Sequence, residues 1–313
     1  MPETSAAHTP ATASWTDWLL LSALVAMWGS SFMLTKIAVS TLPPIVVVTA
    51  RLFIATVILL GLVYATKQRL PGSGRLWLFL IAIAIIGNCL PFFLISWGQQ
   101  QIDSGLAGIL MAIMPLFTLT LAHFFLDGER LHSGKISGFV LGFIGIVMLL
   151  GPEAWQGLRN TGPVLIAQLA VLGGALCYAV NSIIARRRPP SDPLLAAAGV
   201  MLVASIIMLP TACVIEPPWQ LTPSLNSLLA VIGLGVMSTA AASVVYFKLI
   251  SSAGPSFVSQ INYLIPLWAV VVGIVFLGEQ PRWNALAALL LILSGIALAQ
   301  WTERRRKITC PSR

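Results

Sequence analysis

The chain has 313 residues, of which 58% are hydrophobic and only 9% are charged. A soluble domain carries about 25% charged residues, so this composition excludes an ordinary soluble protein. The net charge of +8 does not indicate nucleic acid, because Lys and Arg fall in short connectors and in the C-terminal tail rather than on one basic surface.

Ten apolar segments follow one another along the chain, each long enough to cross a bilayer as a helix. A span of about 20 apolar residues is sufficient, because helix formation satisfies the backbone hydrogen bonds internally. The segments cover roughly residues 18–39, 45–66, 77–97, 104–126, 135–151, 163–185, 193–215, 225–251, 256–277 and 283–301. The sequence predicts an all-α integral membrane protein with polar tails at residues 1–17 and 302–313.

The ends of the chain and the connectors predict how these segments are oriented. The first 17 residues contain no Lys or Arg, so they lack the basic region of a secretory signal. Thirteen Lys and Arg lie in the tail and the connectors on one side of the predicted membrane, and two lie on the other side. The positive-inside rule then predicts a multi-pass protein of the plasma (inner) membrane with both termini cytoplasmic.

The second half of the chain repeats the first at an offset of 150 or 151 residues. Matched positions include Pro115-Leu116 with Pro266-Leu267, Gly145-Ile146 with Gly295-Ile296, and Trp28 with Tyr178. Five segments per repeat is an odd number, which predicts that residues 18–151 and 163–301 are inserted with opposite topology. Inverted repeats suit alternating access, although duplication alone is also compatible with a membrane protein that transports nothing.

Three motifs resemble those of one known family. The run Ala26-Met27-Trp28-Gly29-Ser30-Ser31-Phe32, with Lys36 after it, resembles the opening signature of the EamA branch of the drug/metabolite transporter superfamily. Met114-Pro115-Leu116-Phe117 running to Asp127-Gly128-Glu129, and Ile265-Pro266-Leu267-Trp268 running to Leu277-Gly278-Glu279, resemble the signatures of its fourth and ninth helices. The resemblance extends over about residues 18–301.

The resemblance implies a function as well as a fold. It implies a central cavity lined by the first, third, fourth, sixth, eighth and ninth helices, and efflux of small metabolites. Within the branch, the chain looks most like exporters of neutral or aromatic amino acids. A multidrug or nucleobase-type efflux carrier is the alternative, and a channel is a weaker one because no filter of repeated polar groups is evident. An enzyme is disfavoured, since the segments hold no acidic pair, metal motif or nucleophile signature.

The expected partners are a small-molecule substrate such as an amino acid and the membrane lipid. We expect no nucleic acid, metal or cofactor, and a monomer or weak homodimer.

Polar and aromatic residues on the implied cavity helices are the candidate substrate-binding residues, because polar groups are costly in hydrocarbon. They are Trp28, Ser31, Asn88, Trp97, Met111, Tyr178, Asn181, Ser243, Tyr246, Gln260 and Tyr263. The polar members have an alternative role in interhelical hydrogen bonds worth about 1 kcal/mol. Trp28 and Tyr178 form either a stacking wall for a flat substrate or ordinary packing, and Met111 is either an adaptable contact or core filler.

Prolines and charged residues within the segments supply further expectations. Pro91, Pro115 and Pro266 each remove a backbone hydrogen bond and predict kinks beside the cavity. Arg51, about two turns inside the second segment, is expected to pair with Asp103. No carboxylate lies near the middle of a segment, which predicts facilitated transport or exchange rather than a pump built on a buried carboxylate.

Overall fold

The computed structural model describes residues 14–126, 133–157 and 162–309. Within these ranges the regular structure is helical, with a short 3₁₀ turn at Pro218–Gln220. Ten main helices follow in order: α1 Trp15–Ala38, α2 Pro44–Ala65, α3 Gly74–Gly98, α4 Ser104–Phe125, α5 Ser133–Gly157, α6 Pro163–Arg187, α7 Pro193–Ile215, α8 Leu225–Pro255, α9 Ile261–Leu277 and α10 Trp283–Thr309.

Seven of the described helices are long and apolar enough to cross a membrane, namely α1 to α4 and α6 to α8. Shorter apolar stretches occupy Ile136–Leu149 in α5, Ile261–Leu277 in α9 and Trp283–Ala299 in α10. The chain is therefore a multi-pass membrane protein. That all ten helices cross the membrane remains a prediction.

The helix ends follow from local sequence signals. Ser14 and Asp17 form a reciprocal capping box at the start of α1, and Asp192 accepts hydrogen bonds from two backbone amides at the start of α7. Gly278 ends α9 in the left-handed conformation that glycine adopts without steric cost. Most predicted segments match a described helix to within a few residues.

Three helix ends differ from the predicted segments. Helix α10 continues to Thr309 into the predicted polar tail rather than ending near residue 301, and α5 continues to Gly157 rather than ending near residue 151. The start of the ninth helix also differs. It was expected near residue 256, but α9 begins at Ile261. Gly254 adopts φ = 81°, which interrupts the helix, and Pro255 then starts a single helical turn that ends at Val258. The motif Asp127-Gly128-Glu129 and the outermost parts of both tails lie outside the described residues.

The two ends of the bundle differ in charge. The basic end carries the α2–α3 connector, with Lys67 and Arg69, and the Arg186–Arg188 run at the end of α6. The opposite end carries the α1–α2, α3–α4, α7–α8 and α9–α10 connectors.

Helices at matching positions in the two halves make matching contacts. Helix α1 packs against α8 and α9, and its counterpart α6 packs against α3 and α4. Helix α2 packs against α8, just as α7 packs against α3, and the remaining counterparts pair with each other as α2–α7, α4–α9 and α5–α10. These contacts link α1, α3, α4, α6, α8 and α9 as the central helices, with α2 packed against both α3 and α8.

Two of these central helices contain π-helical turns. Ile85–Cys89 in α3 and Leu234–Ala241 in α8 are π-helical, and the first range plus 150 gives 235–239, which lies inside the second. Such turns make up well under 1% of residues in soluble proteins and are often found at functional sites. Because the two turns lie at matched positions in α3 and α8, the region between these helices is a candidate functional site.

Candidate substrate site

Arg51 of α2 contacts the π-helical turn of α8 and the part of α3 that follows its π-helical turn. Its Nε donates to Thr239 Oγ1 in α8 at 2.7 Å, and its Cζ lies 3.7 Å from the centre of the Phe92 ring in α3. The side chain is only 8% exposed. The expected pair with Asp103 is wrong, because Arg51 contacts α3 and α8 while Asp103 is exposed at the start of α4.

Aromatic rings of the candidate set form two separate pairs around this position. Trp28 lies against Tyr246, with ring centres 5.4 Å apart and planes at 44°. Tyr178 meets Phe92 edge to face at 6.4 Å. Trp28 and Tyr178 thus have different aromatic partners, and their joint role as a stacking wall remains a prediction.

The two candidate asparagines meet different surroundings. Asn88 Nδ2 donates to the Ile83 carbonyl within α3 at 3.2 Å, so part of its hydrogen-bonding capacity serves the π-helical turn. Asn181 Oδ1 is buried and has no hydrogen-bond partner among the described residues. Asn181 also packs closely on α3, since a Cβ built on Gly87 would lie 2.5 Å from Asn181 Cγ.

Serine side chains near the centre bond to backbone carbonyls. Ser31 donates to the Trp28 carbonyl, and Ser243 donates to the Thr239 carbonyl at 2.7 Å. Ser243 also lines an apolar cavity of about 110 Å³ between α2, α7 and α8. Both serines are only partly buried, and their contact with a polar substrate remains a prediction.

The other candidate residues are spread more widely. Met111 and Tyr263 are partly buried against the apolar core of α4, α5, α6, α9 and α10. Trp97 is 36% exposed near the end of α3, and Gln260 lies in the turn before α9. The described hydrogen bonds and ring contacts do not join Met111, Trp97 or Gln260 to Trp28 or Tyr246.

The three prolines have different local effects. Helix α4 is interrupted at Ala112–Ile113, and Pro115 occupies the first turn of the segment that follows. Pro266 lies inside the continuous helix α9, and Pro91 follows the π-helical turn of α3. The two halves are therefore asymmetric at their matched prolines, and a gating role for these prolines remains a prediction.

Polar contacts hold the opposite end together. Lys36 at the end of α1 donates to the carbonyls of Gln99 and Ile102 at 2.8 and 2.9 Å. Glu279, beyond α9, accepts from the backbone amides of Ser104 and Gly105 at 2.7 and 2.9 Å. A carboxylate at a helix N-terminus bonds amides that have no partner within the helix and complements the helix dipole. These contacts join α1 to α3 and α9 to α4.

Sequence reasoning missed several residues at these positions. Phe92 and Thr239 carry no local signal, since one resembles any apolar residue and the other any small polar residue. The π-helical turns have no recognised sequence signature here. Arg51 was detectable, because a cation two turns inside an apolar segment is costly unless it has a role.

Comparisons with known proteins give consistent results. A family model described as the EamA-like transporter family matches residues 15–151 and again residues 165–301. The uncharacterized transporter YoaV of Bacillus subtilis is 24% identical over 283 residues, covering 90% of this chain and 96% of the relative. The uncharacterized inner membrane transporter YedA of Escherichia coli K12 is 26% identical over 300 residues, covering 93% and 94%.

Protein PagO of Salmonella typhimurium is 26% identical over 281 residues, covering 87% of this chain and 88% of that protein. One protein crystal structure aligns with a TM-score of 0.65 at 20% identity, over 94% of this chain and 100% of the other. At that identity, the structural likeness shows the fold alone.

Proposed function

Because this chain belongs to the EamA-like transporter family, we propose that it exports small metabolites, in particular neutral or aromatic amino acids, by alternating access. The observation that carries the substrate class is the presence of two aromatic pairs, Trp28–Tyr246 and Tyr178–Phe92, on the central helices α1, α3, α6 and α8. Aromatic rings offer stacking and apolar surface to a planar side chain. The family and the relatives are transporters, not enzymes.

The two halves are proposed to be inverted repeats. Support comes from the family model, which matches the chain twice, and from the matching helix contacts of the two halves. Such a pair can adopt two related packings, one open to each side of the membrane. This is the physical basis proposed for alternating access.

Both termini are proposed to be cytoplasmic, with the basic end facing the cytoplasm. The excess of Lys and Arg in the connectors of that end supports this orientation. A single cysteine at position 5 should stay unlabelled by an impermeant reagent in intact cells and become labelled after permeabilisation. Labelling from outside would overturn the orientation.

Transport is proposed to be facilitated or by exchange. The described carboxylates lie at helix ends or in connectors, as Asp17, Asp103, Asp192, Glu216 and Glu279 illustrate. No described carboxylate is therefore placed to carry a proton through the centre.

Thermal stabilisation of the purified protein tests the substrate class. A panel of amino acids, nucleobases and cationic drugs is added, since a ligand that binds only the folded state raises the melting temperature. We expect phenylalanine, tryptophan and leucine to stabilise the protein, and then to cross the membrane of proteoliposomes that contain it. Stabilisation by nucleobases or drugs alone would contradict the amino acid assignment and favour a broader efflux role.

A further inference from the structure

Arg51 is a buried cation without a described anionic partner. Its side chain is 8% exposed in a membrane-spanning helix, where a charge is expensive unless it is paired or serves a function. Among the described acidic side chains, Asp17 bonds to Ser14 and Ser252, and Glu279 bonds to the start of α4. Asp103, Asp192 and Glu216 lie at helix ends. None of these five contacts Arg51.

The guanidinium is held in place on two sides. Thr239 donates its hydroxyl hydrogen to the Leu234 carbonyl of the π-helical turn at 2.8 Å, which directs a lone pair of Oγ1 towards Arg51 Nε. The Phe92 ring covers one face of the guanidinium. Both contacts fix its plane, and neither uses an Nη nitrogen.

The two Nη nitrogens have no hydrogen-bond partner among the described residues. A guanidinium fixed through Nε and one face therefore presents donors in a rigid fork. This geometry matches the two oxygens of a carboxylate, with which Arg forms parallel charge-assisted bonds. The absence of a protein partner leaves this capacity for a ligand.

The single positive charge of Arg51 favours a ligand group with a single negative charge. None of the other cations with described side chains in the helices contacts Arg51: Arg75, Arg186 and Arg187 lie in the first or last turn of their helices, Lys36 bonds to the end of α3, and Lys248 is exposed. One guanidinium neutralises one carboxylate, whereas a phosphate dianion would keep an excess charge in a largely apolar environment. Tyr178, whose ring meets Phe92 edge to face at 6.4 Å, adds aromatic surface next to the fork.

We propose that Arg51 is a substrate-binding residue and that its fork binds the carboxylate of the transported molecule, whose substrate class is therefore small organic monocarboxylates, amino acids included. This rests on the proposed transport function and assigns recognition to the carboxylate rather than to the amine. Thr239 and Phe92 are positioning residues that hold the guanidinium. Thr239 lies in the π-helical turn of α8, and Phe92 lies three residues after the π-helical turn of α3.

The test compares three related compounds on the purified protein. Phenylalanine carries both charged groups, phenylacetate only the carboxylate, and phenethylamine only the amine. We expect phenylalanine and phenylacetate to stabilise wild type and phenethylamine to do so far less. Arg51→Gln should weaken both carboxylates by about 10- to 100-fold, because hydrogen bonds to a charged group are lost. Lys248→Gln, which removes the same charge from an exposed site, should leave their binding unchanged.

Each outcome separates this assignment from the proposed function. If phenylacetate binds in an Arg51-dependent way but no amino acid is transported, the anion site is supported and amino acid export is contradicted. Amino acid transport with the same preference for carboxylates in Arg51→Gln would keep the function and overturn the site. Stabilisation by inorganic phosphate but not by phenylacetate would overturn the choice of a carboxylate.

A second variant tests the site even if Arg51→Gln does not fold. Thr239→Val keeps the charge and removes the bond to Nε, so carboxylate binding should weaken while a preference over phenethylamine remains. If wild type itself binds phenethylamine as well as phenylacetate, the assignment is wrong whatever the variants do.

Discussion

At the level of single residues, tryptophans that look equivalent in the sequence have different neighbours in the structure. Trp28 shares its ring surface with Tyr246 of α8, whereas Trp97 is partly exposed near the end of α3. Trp18 packs against Phe257 at the basic end, with ring centres 4.9 Å apart. Of these three tryptophans, Trp28 is the one next to a second candidate residue.

Trp28→Ala should weaken aromatic substrates more than aliphatic ones. An aromatic pair contributes about 0.5–1.5 kcal/mol beyond its buried area, which corresponds to about a 2- to 12-fold loss for phenylalanine relative to leucine. Initial rates of uptake into proteoliposomes measure the ratio. Trp18→Ala, which removes a ring at the basic end, should leave that ratio unchanged, and an equal loss for both substrates in Trp28→Ala would contradict a stacking role.

Some residues of the candidate site can be predicted from the sequence, and others cannot. The candidates Trp28, Tyr178, Tyr246 and Asn181 were found because aromatic and polar residues are conspicuous in apolar helices. The partner of Arg51 was not found, because pairing with Asp103 was inferred from proximity along helix ends. In the structure Arg51 instead bonds to the hydroxyl of Thr239, almost 190 residues away along the chain. No local sequence pattern encodes such a contact.

At the scale of helices, the π-helical turn of α3 depends on close contact with α6. Gly87 lies in this turn, and a Cβ there would meet Asn181 Cγ at 2.5 Å. Real Cβ atoms do not approach that closely, so either α6 or the Asn181 side chain would have to move. Gly61 of α2, by contrast, has open space where its Cβ would lie.

Gly87→Ala should therefore lower thermal stability, while Gly61→Ala should leave it unchanged or raise it slightly. Ala within a helix is favoured over Gly by about 0.5–1 kcal/mol when space allows. Melting temperatures of the two variants in the same detergent make the comparison. Asn181→Ala added to Gly87→Ala should restore part of the loss, and a double variant no more stable than Gly87→Ala would show that the contact is not the cause.

Helix positions were largely predictable, whereas their internal irregularities were not. Apolar length and Pro or Gly connectors locate most helices because both depend on nearby residues. The interruption at Ala112–Ile113, the kink at Gly254 and the two π-helical turns depend on packing between helices. Periodicity along one segment carries no information about such packing.

At the scale of the whole molecule, polar contacts close the opposite end. Glu279 bonds to the start of α4, and Lys36 bonds to the end of α3. Both contacts join central helices that the proposed alternating-access cycle would separate. Their loss should favour a conformation that is open at this end.

Glu279→Ala should shift the population towards that conformation, because two amides at the start of α4 lose their acceptor. Spin labels on the exposed residues Gln101 and Gln280, in the α3–α4 and α9–α10 connectors, report the separation. We expect longer distances to gain population in Glu279→Ala. Glu216→Ala, a carboxylate of the same end, is the matched control, and unchanged distances in Glu279→Ala would refute the closing role.

Counterflow tests whether the protein carries amino acids by alternating access. Proteoliposomes are loaded with unlabelled phenylalanine and diluted into a trace of labelled phenylalanine without an ion gradient. A carrier exchanges the two, so labelled phenylalanine should rise transiently above its equilibrium level, and the overshoot should be absent in liposomes without protein. Equilibration without an overshoot would indicate a channel, and no uptake of the label would contradict phenylalanine as a substrate.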